Sequence, residues 1–585
     1  MSSKTSTHRP SSYRLLTRLF LRQFLENDML SPDSDRSQLI AVTGASVISL
    51  TLFISMFMSA PYAMSILMPA HAAVLSLNDK FFYCSLAMLV TALTAAAQWD
   101  ALALDQRDAA ILQQLPVKAG TLRAAKLTAV ALLGAGVALA VNAFPTWVFP
   151  WMLAFSVPQL PVSQLFTLMA VHAAITVAAA VFGFLAIIAI RESVSALVGP
   201  KVFTRISPML QTATIMSLGV ALLMLPLSTS RMAQQGLSDW RAAVPSTAFV
   251  GAYETVSRGM LAELPRRQMT VPQAARDFHF SYVYAERQPL FLPLMGRAQL
   301  LLIGVTVLVV VATGVNTLRG FAGGALSPPR RRRSRLAGVA RSIFSRSAAS
   351  RAGFDFGVAT LWRSKTHRLT LTCAAAIGLA MVLVSLPKGE LSGASVPARL
   401  LAIQPLLYGS VLVGFRHLVR VPAELRANWG FQMAWRGHVR EFADGVKMAA
   451  YMTLAVPAIL VTIPPVAAMA GLPFALWHAV LGLLGAVIFV DALMLSYDKV
   501  PFTCSYVPSP NKAMAPIYAG MFLVGATMFA RLELNILTGA RTFVGLVGLV
   551  MLCVCLKVMA SRRRRVADVD FNEGPEGYQR LGLDG

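Results

Sequence analysis

The sequence predicts an all-α polytopic membrane protein, and its composition and its apolar runs are the observations that predict this class. Hydrophobic residues make up 56% of the 585-residue chain and charged residues only 14%, against about 25% charged residues in ordinary soluble domains. Because water cannot solvate so large an apolar surface, the composition requires a lipid bilayer as the solvent. The same values exclude the disordered, collagen-like and disulfide-scaffold classes.

Apolar runs of the length of a bilayer recur along the chain in two sets. A transmembrane helix needs about 20 predominantly apolar residues, and on that basis we predict about twelve helices. They form a first six-helix transmembrane bundle over 39–318 and a second over 369–556. The predicted spans are 39–59, 81–98, 126–155, 164–190, 209–230 and 298–318, followed by 369–387, 400–415, 448–470, 474–497, 514–530 and 536–556.

One predicted span is too long for a single straight crossing. The run 126–155 contains Asn142, Pro145 and Pro150. Proline removes a backbone donor and bends helices. We therefore expect either a kink in this helix or a chain reversal near its end.

Three polar segments flank the two bundles. In 1–38, apolar residues alternate with arginines at helical spacing; they are Leu15, Leu16, Leu19, Phe20 and Phe24. This pattern predicts a cytoplasmic amphipathic helix on the membrane surface; a solvated tail is the alternative. The segment 319–368 is a basic cytoplasmic connector, and its later part, from Phe354 to Arg368, is a candidate for a second interfacial helix. The segment 557–585 is a basic cytoplasmic tail.

The distribution of positive charge predicts the orientation of the chain. With the N-terminus inside, about three-quarters of the Lys and Arg residues fall in cytoplasmic segments, as the positive-inside rule requires. We therefore expect a multi-pass protein of the inner (plasma) membrane with both termini in the cytoplasm. The clusters Arg330–Arg333 and Arg562–Arg565 each follow a predicted span, so anionic headgroups explain them and no nucleic-acid partner is expected.

The longest predicted extracytoplasmic loop, 231–297, is rich in aromatic residues. Phe278, Phe280, Tyr282 and Tyr284 alternate with other residues, a pattern typical of either a strand or an interfacial aromatic belt. The loop is long enough for a small cap. The corresponding loop of the second bundle, near 531–535, is very short.

No pattern in the chain predicts catalysis or a bound cofactor. Asp79 stands alone in the first predicted outside loop, the five cysteines have no paired spacing, and no P-loop, H-E-x-x-H or G-x-S-x-G motif occurs. The predicted spans contain almost no ionisable groups. Among the few are His172, which we expect to be a hydrogen-bonded structural histidine and not a proton relay, and Asp491, with Lys499 or His417 as its candidate partners. An ion-coupled carrier is therefore disfavoured, and we expect no catalytic, metal-binding or cofactor-binding residues.

Two predicted inside loops contain short helices that mix charge with large apolar side chains. We call 99–126 the first docking connector and 416–447 the second. In the first, Asp105 can cap a helix that Pro116 ends. The candidate partner-docking residues are Asp100, Asp105, Arg107, Asp108, Ile111, Leu112, Leu115 and Pro116 in the first connector and Glu424, Leu425, Arg426 and Trp429 in the second.

The two connectors occupy equivalent places, each after the second helix of a bundle. This equivalence predicts two docking points for a dimeric partner, each inserting a helix into a groove. A capped turn on the lipid surface is the alternative. A third inside segment, Asp498 to Tyr506, indicates only a tight, partly buried turn.

The first connector also resembles a known family. The stretch from Trp99-Asp100 to Lys126, with its Asp-x-Arg-Asp and Leu-Pro-Val elements, resembles permeases of type-2 ATP-binding-cassette (ABC) exporters. The strings Pro-Ala-Glu-Leu-Arg-Ala-Asn-Trp and Pro-Phe-Thr-Cys-Ser-Tyr resemble large bacterial members with twelve spans. The resemblance implies that the connector after the second span is a coupling helix on a cytoplasmic ATPase dimer, with ATP and Mg bound by that partner.

The expected function is therefore that of a permease subunit. It would export a hydrophobic or amphipathic substrate with ATP hydrolysed by a separate nucleotide-binding subunit. The alternative is a membrane enzyme or scaffold that acts on lipid-linked substrates through 231–297.

Overall fold

A computed structural model describes a set of helices and a few of the turns between them. The described residues are 12–25, 51–58, 60–62, 68–100, 119–157, 160–229, 243–261, 269–322, 347–385, 398–423, 439–495, 499–503, 515–539 and 542–566, with single positions 49, 102, 264, 433, 497. No strand occurs in these ranges. The predicted all-α class is confirmed for this part of the chain.

Contacts divide the chain into two compact units. The first consists of 1–27 and 33–327, and the second of 28–32 and 328–585. The helices of the first unit are α1 (Ser12–Leu25), α2 (Pro69–Ala97), α3 (Ala119–Ser156), α4 (Val162–Val198), α5 (Pro200–Thr229), α6 (Pro245–Ser257) and α7 (Val271–Ala322). Its main core lies among α2, α3, α4, α6 and α7.

The longer helices of the second unit follow in chain order. They are α8 (Ala348–Arg363), α9 (Lys365–Ser385), α10 (Ile403–Leu418), α11 (Val439–Ala450), α12 (Val456–Ala470), α13 (Leu472–Met494), α14 (Ala515–Leu537) and α15 (Thr542–Val566). A π-helical turn, Tyr451–Ala455, joins α11 to α12. The main core of this unit lies between α10, α11 and α13.

Ten helices of the described residues are long and apolar enough to cross a membrane, so the chain is a multi-pass membrane protein. Two predicted spans are not among the ten. The span 39–59 lies largely outside the described residues, although 51–58 are helical. The span 400–415 falls on a short helix, Ala398–Leu401, and on α10. Only Ala402 separates these two helices; α10 alone has 16 residues, whereas together they cover 398–418, which is comparable to the ~20 residues that a crossing needs.

The segment 231–297 is not a simple loop in its described part. It contains α6 and the first half of α7, a helix of 52 residues, about 78 Å long at 1.5 Å per residue. The strand interpretation of Phe278 to Tyr284 is therefore wrong, because these residues lie within α7. Since α7 is more than twice as long as the ~30 Å hydrocarbon core, part of it extends beyond the bilayer.

The third predicted span was expected either to kink or to reverse its direction near its end. Helix α3 is continuous from Ala119 to Ser156 and includes both Pro145 and Pro150. The chain reversal is therefore wrong. In an apolar environment every backbone group needs a partner, so a helix that loses only the bonds next to its prolines is favoured over an open turn.

The predicted amphipathic helix at the N-terminus is present as α1, which packs along α3. Leu16 and Phe20 are buried, and the Lys126 ammonium lies 4.6 Å from the centre of the Phe20 ring. The Tyr13 hydroxyl is 2.6 Å from the Thr128 hydroxyl. One face of α1 therefore contacts protein, and its position on a membrane surface stays a prediction.

The second unit contains an analogous contact between α8 and α11. Helix α8 begins before the predicted Phe354 and ends before Ser364, where α9 starts one residue later. Its glycines permit a close crossing: a Cβ atom on Gly353 would lie 2.1 Å from the Phe442 carbonyl oxygen, and one on Gly445 would lie 2.0 Å from the Ser350 carbonyl oxygen. The two backbones touch at this crossing.

We expect Gly445→Ala to destabilise the second unit. The added methyl would overlap backbone atoms that cannot rotate away, and overpacking of this kind costs about 1–3 kcal/mol. The matched control is Gly525→Ala in α14, where no atom lies within 4 Å of the added Cβ and the gain in helix propensity is about 1 kcal/mol. Thermal unfolding of the purified protein in detergent should show a lower midpoint only for Gly445→Ala; equal midpoints would contradict the close crossing.

Candidate functional site

The candidate functional site consists of the two docking connectors and the contacts that hold their ends. Of the predicted docking residues, the structure describes only Asp100, which is exposed in the turn after α2. The other predicted residues lie outside the described residues. They are Asp105, Arg107, Asp108, Ile111, Leu112, Leu115, Pro116, Glu424, Leu425, Arg426 and Trp429.

Trp99 fixes the start of the first docking connector. Its side chain is fully buried at the end of α2, and its indole Nε1 donates a hydrogen bond of 2.9 Å to the Ser207 hydroxyl of α5. Its carbonyl oxygen accepts a hydrogen bond of 2.8 Å from Arg191 Nε of α4. In the last turn of α2, the Ala96 carbonyl accepts a hydrogen bond of 3.0 Å from Gln211 Nε2 of α5. The connector therefore leaves α2 from a point tied to two further helices.

Arg191 is itself held by a buried polar group. Its guanidinium pairs with the neighbouring Glu192 carboxylate and lies over the Phe203 ring at 5.5 Å. The Asn316 amide of α7 donates to Glu192 Oε2 at 2.7 Å and to the Glu192 carbonyl at 2.9 Å. A charged pair in an apolar bundle needs such hydrogen bonds to offset its desolvation. The cluster therefore links α2, α4 and α7 at the first connector.

Phe502 fixes the start of the second docking connector. Its N–H donates to the Val419 carbonyl and its carbonyl accepts from the Ala423 N–H, each at 2.9 Å. The Tyr497 hydroxyl also donates to the Val419 carbonyl at 2.9 Å, and the Arg416 guanidinium lies 4.9 Å from the Tyr497 ring. The turn after α13 is thus paired with the first residues after α10.

The pairing explains the string Asp498 to Tyr506, for which the sequence indicated only a tight, partly buried turn. That prediction is confirmed for the described residues, since Val500, Phe502 and Thr503 are buried. Phe502 adopts a left-handed backbone conformation, with φ of 64°, which directs both of its backbone polar groups toward residues 419–423. Its ring contacts the rings of His367 and Phe415, with centroids 5.4 and 6.4 Å away.

The membrane helices contain more charge than the sequence predicted. Helix α2 begins at Pro69, twelve residues before the predicted span start, so Asp79 and Lys80 lie within it and not in a loop. The Tyr62 hydroxyl donates to Asp79 Oδ2 at 2.5 Å, and Lys80 pairs with Glu254 of α6. In the second unit His478 pairs with Glu533, which the sequence analysis assigned to a loop. Adjacent opposite charges flanked by apolar runs, as at Asp79-Lys80, are the sequence signal for such a site.

The two ionisable groups that the sequence did identify have other surroundings than expected. Asp491 pairs with Lys447 of α11, Nζ to Oδ1 at 2.7 Å, and not with Lys499 or His417. His172 is fully buried, and neither ring nitrogen has a hydrogen-bond partner. The expected hydrogen-bonded histidine is therefore wrong. The rings of Tyr83, Phe149 and Tyr253 enclose it, with centroids 5.4, 5.4 and 5.8 Å away.

Tyr253 is the residue of α6 that lines this enclosure. Burial raises the pKa of Tyr253 well above the ordinary value of a tyrosine, because an apolar surrounding disfavours the phenolate. The Tyr253 hydroxyl therefore stays protonated and is 3.5 Å from the Leu168 carbonyl, to which it donates.

No protein-family model matches the chain, and no curated protein or solved structure is significantly similar to it. Function must therefore be argued from the geometry of the chain itself. The described contacts fix the start of each connector to other parts of its unit.

Proposed function

We propose that this protein is the membrane-spanning permease subunit of an ABC-type exporter. A separate cytoplasmic ATPase dimer would bind ATP and Mg and would dock on the two connectors. The observation that carries the proposal is that the two connectors occupy corresponding places in the two units. The first connector follows α2, which packs against α4, and the second follows α10, which packs against α13. Two equivalent docking points are what a symmetric dimeric partner requires.

The anchoring of each connector supports its use in transmitting force. Trp99 is bonded to α4 and α5, and Val419 is bonded to the turn 497–503. Because protein interiors are close-packed and transmit strain, a displacement of either connector would move the helices to which it is tied. ATP-driven movement of the partner would in this way reach the bundle of each unit.

The surface of the long helices supports a hydrophobic or amphipathic substrate. The charged side chains Lys80, Glu254, Lys447 and Asp491 are paired inside their units, and the exposed face of the second half of α7 is largely apolar. Its exposed residues include Leu300, Ile303, Val307, Val310 and Val311. Outward transport, a location in the inner membrane and cytoplasmic termini are parts of the same proposal.

Reconstitution with an ATPase tests the proposal. An ATP-binding-cassette ATPase gene is first sought beside the gene of this chain. The full chain is then co-expressed with that subunit, purified and placed in liposomes, and ATP hydrolysis is measured with candidate lipids and amphipathic drugs. We expect the two proteins to co-purify and at least one compound to stimulate hydrolysis severalfold. Transport by the chain without the ATPase, or failure of the two proteins to associate, would overturn the proposal, and the second result would favour the enzyme or scaffold alternative.

A further inference from the structure

Helix α6 is a short helix enclosed by the long helices of the first unit. All residues from Ser246 to Glu254 are buried, and the helix packs against α2, α4 and α7. The packing is close: a Cβ atom on Gly251 would lie 2.2 Å from Leu294 Cβ of α7. Directly after α6 the backbone turns through two left-handed residues, Arg258 and Gly259. Helix α6 is thus a compact piece inserted among longer helices.

One carboxylate ties α6 to two of its neighbours. Glu254 Oε1 pairs with the Lys80 ammonium of α2, and Glu254 Oε2 accepts a hydrogen bond of 2.5 Å from the Tyr284 hydroxyl of α7. The Lys80 ammonium also lies 4.6 Å from the centre of the Tyr253 ring. All four side chains are at least 95% buried. We call Lys80, Glu254 and Tyr284 the polar triad.

The chemistry of the polar triad differs from that of ordinary packing. A buried ion pair is often no more stabilising than apolar residues of the same volume, whereas loss of one partner leaves an uncompensated charge that is strongly destabilising. Lys80 lies in a helix that is long and apolar enough to cross a membrane, where ionisable groups are costly and mark functional positions. Apolar residues could pack α6 in the same place, whereas a charged contact can be released by the loss of a single partner.

The neighbouring His172 favours opening of this arrangement, because its ring would gain hydrogen bonds to water. Its ring is fully buried, and both nitrogens lack a hydrogen-bond partner, which is unfavourable for a polar group. One wall of its enclosure is Tyr253, the residue before Glu254 on α6. Movement of α6 would remove that wall and allow water to hydrate the imidazole.

We propose that the polar triad is an ionic latch that holds α6 closed over the interior of the first unit, and that its release opens a path for water to His172 and Cys84. The latch acts within one unit and does not depend on any ATPase. It is therefore testable on the purified full chain, separately from the proposed transport function.

Cys84 is a natural reporter of the latch. It is one helical turn after Lys80 on α2, is fully buried, and packs against Ala248, Phe249 and Ala252 of α6. Movement of α6 would therefore expose Cys84 to a thiol reagent. Replacing the other cysteines by serine leaves Cys84 as the single reactive thiol; these cysteines are Cys373, Cys504, Cys553 and Cys555.

The experiment measures the rate at which a maleimide labels Cys84 in the folded protein. We expect Glu254→Gln to raise the rate at least about tenfold, because Lys80 is left buried and unpaired. Tyr284→Phe removes one hydroxyl only and should raise it a few-fold without loss of folding. The double variant Lys80→Met/Glu254→Gln removes both charges and should be labelled more slowly than Glu254→Gln alone.

A matched ion pair in the second unit supplies the control. Lys447→Met breaks the buried pair with Asp491 and should leave Cys84 labelling unchanged. The latch is overturned by unchanged labelling in both Glu254→Gln and Tyr284→Phe, by equally fast labelling in Lys447→Met, or by a double variant labelled as fast as Glu254→Gln.

Discussion

Replacing Leu112 and Leu115 together by glutamate should abolish association with the ATPase partner. Both residues are predicted on the apolar face of the short helix in the first docking connector. Two carboxylates placed in an apolar groove would be desolvated without a partner, and this penalty amounts to several kcal/mol. The expected loss of affinity is therefore at least about a hundredfold. Co-purification and binding to the immobilised ATPase would measure it.

Conservative substitutions at the same positions separate the effect of the added charge from the effect of changing the side chain. Leu112→Met and Leu115→Met keep an apolar side chain of similar volume and should retain full binding. Leu425→Glu in the second connector should weaken binding in the same assay, because a dimeric partner uses both docking points. Full binding by the double glutamate variant of the first connector would contradict docking there.

The class of the fold follows from the sequence because bilayer-length apolar runs have few alternative structures. In lipid, backbone groups must find partners within the segment, so runs such as 164–190 become helices and here form part of α4. The amphipathic spacing of Leu16 and Phe20 likewise predicted α1. Local sequence patterns were sufficient to predict these two helices.

The predicted helix boundaries were wrong where a charged residue is neutralised by a partner that is distant in the sequence. The predicted second span began after Lys80, because a lysine within an apolar helix is unfavourable. Its partner Glu254 lies 174 residues away. The adjacent charges Asp79 and Lys80 mark the position, but no local pattern identifies Glu254 as the partner of Lys80. The same reason explains why the spans were predicted to be nearly free of charge.

Periodicity alone also misassigned the aromatic segment of α7. Phe278 and Tyr282 are 68% and 62% exposed, whereas Tyr284 is 5% exposed. Residues four apart share a helix face, so Phe278 and Tyr282 form an outer pair while Phe280 and Tyr284 form an inner pair. Alternation of aromatic residues is therefore compatible with both structures, and packing of the inner pair against His71 and Glu254 decided the outcome.

The anchor of the second connector could not be read from the sequence either. The segment 419–423 pairs with Phe502, which is about 80 residues away in the sequence. The residue type of Phe502 does not indicate a left-handed backbone either, because glycine and asparagine are the residues that favour this conformation. This unusual backbone leads to a further prediction.

Phe502→Ala should strongly destabilise the second unit, by about 3–5 kcal/mol. Its ring is buried against Phe356, His367 and Phe415, and truncation leaves a cavity at the start of the second connector. Phe502→Gly removes one carbon more, yet it should be more stable than Phe502→Ala. The reason is the φ of 64°, which costs a side-chain-bearing residue about 1–2 kcal/mol and glycine little.

The matched pair at Phe415 should show the opposite order. Phe415 is fully buried within α10, where the backbone is α-helical, so Phe415→Gly should be less stable than Phe415→Ala by about 0.5–1 kcal/mol. Unfolding midpoints of the four variants in detergent measure both differences. Glycine ranking below alanine at both positions would show that Phe502 is not held in the left-handed conformation, and the pairing with Val419 and Ala423 would then have to be abandoned.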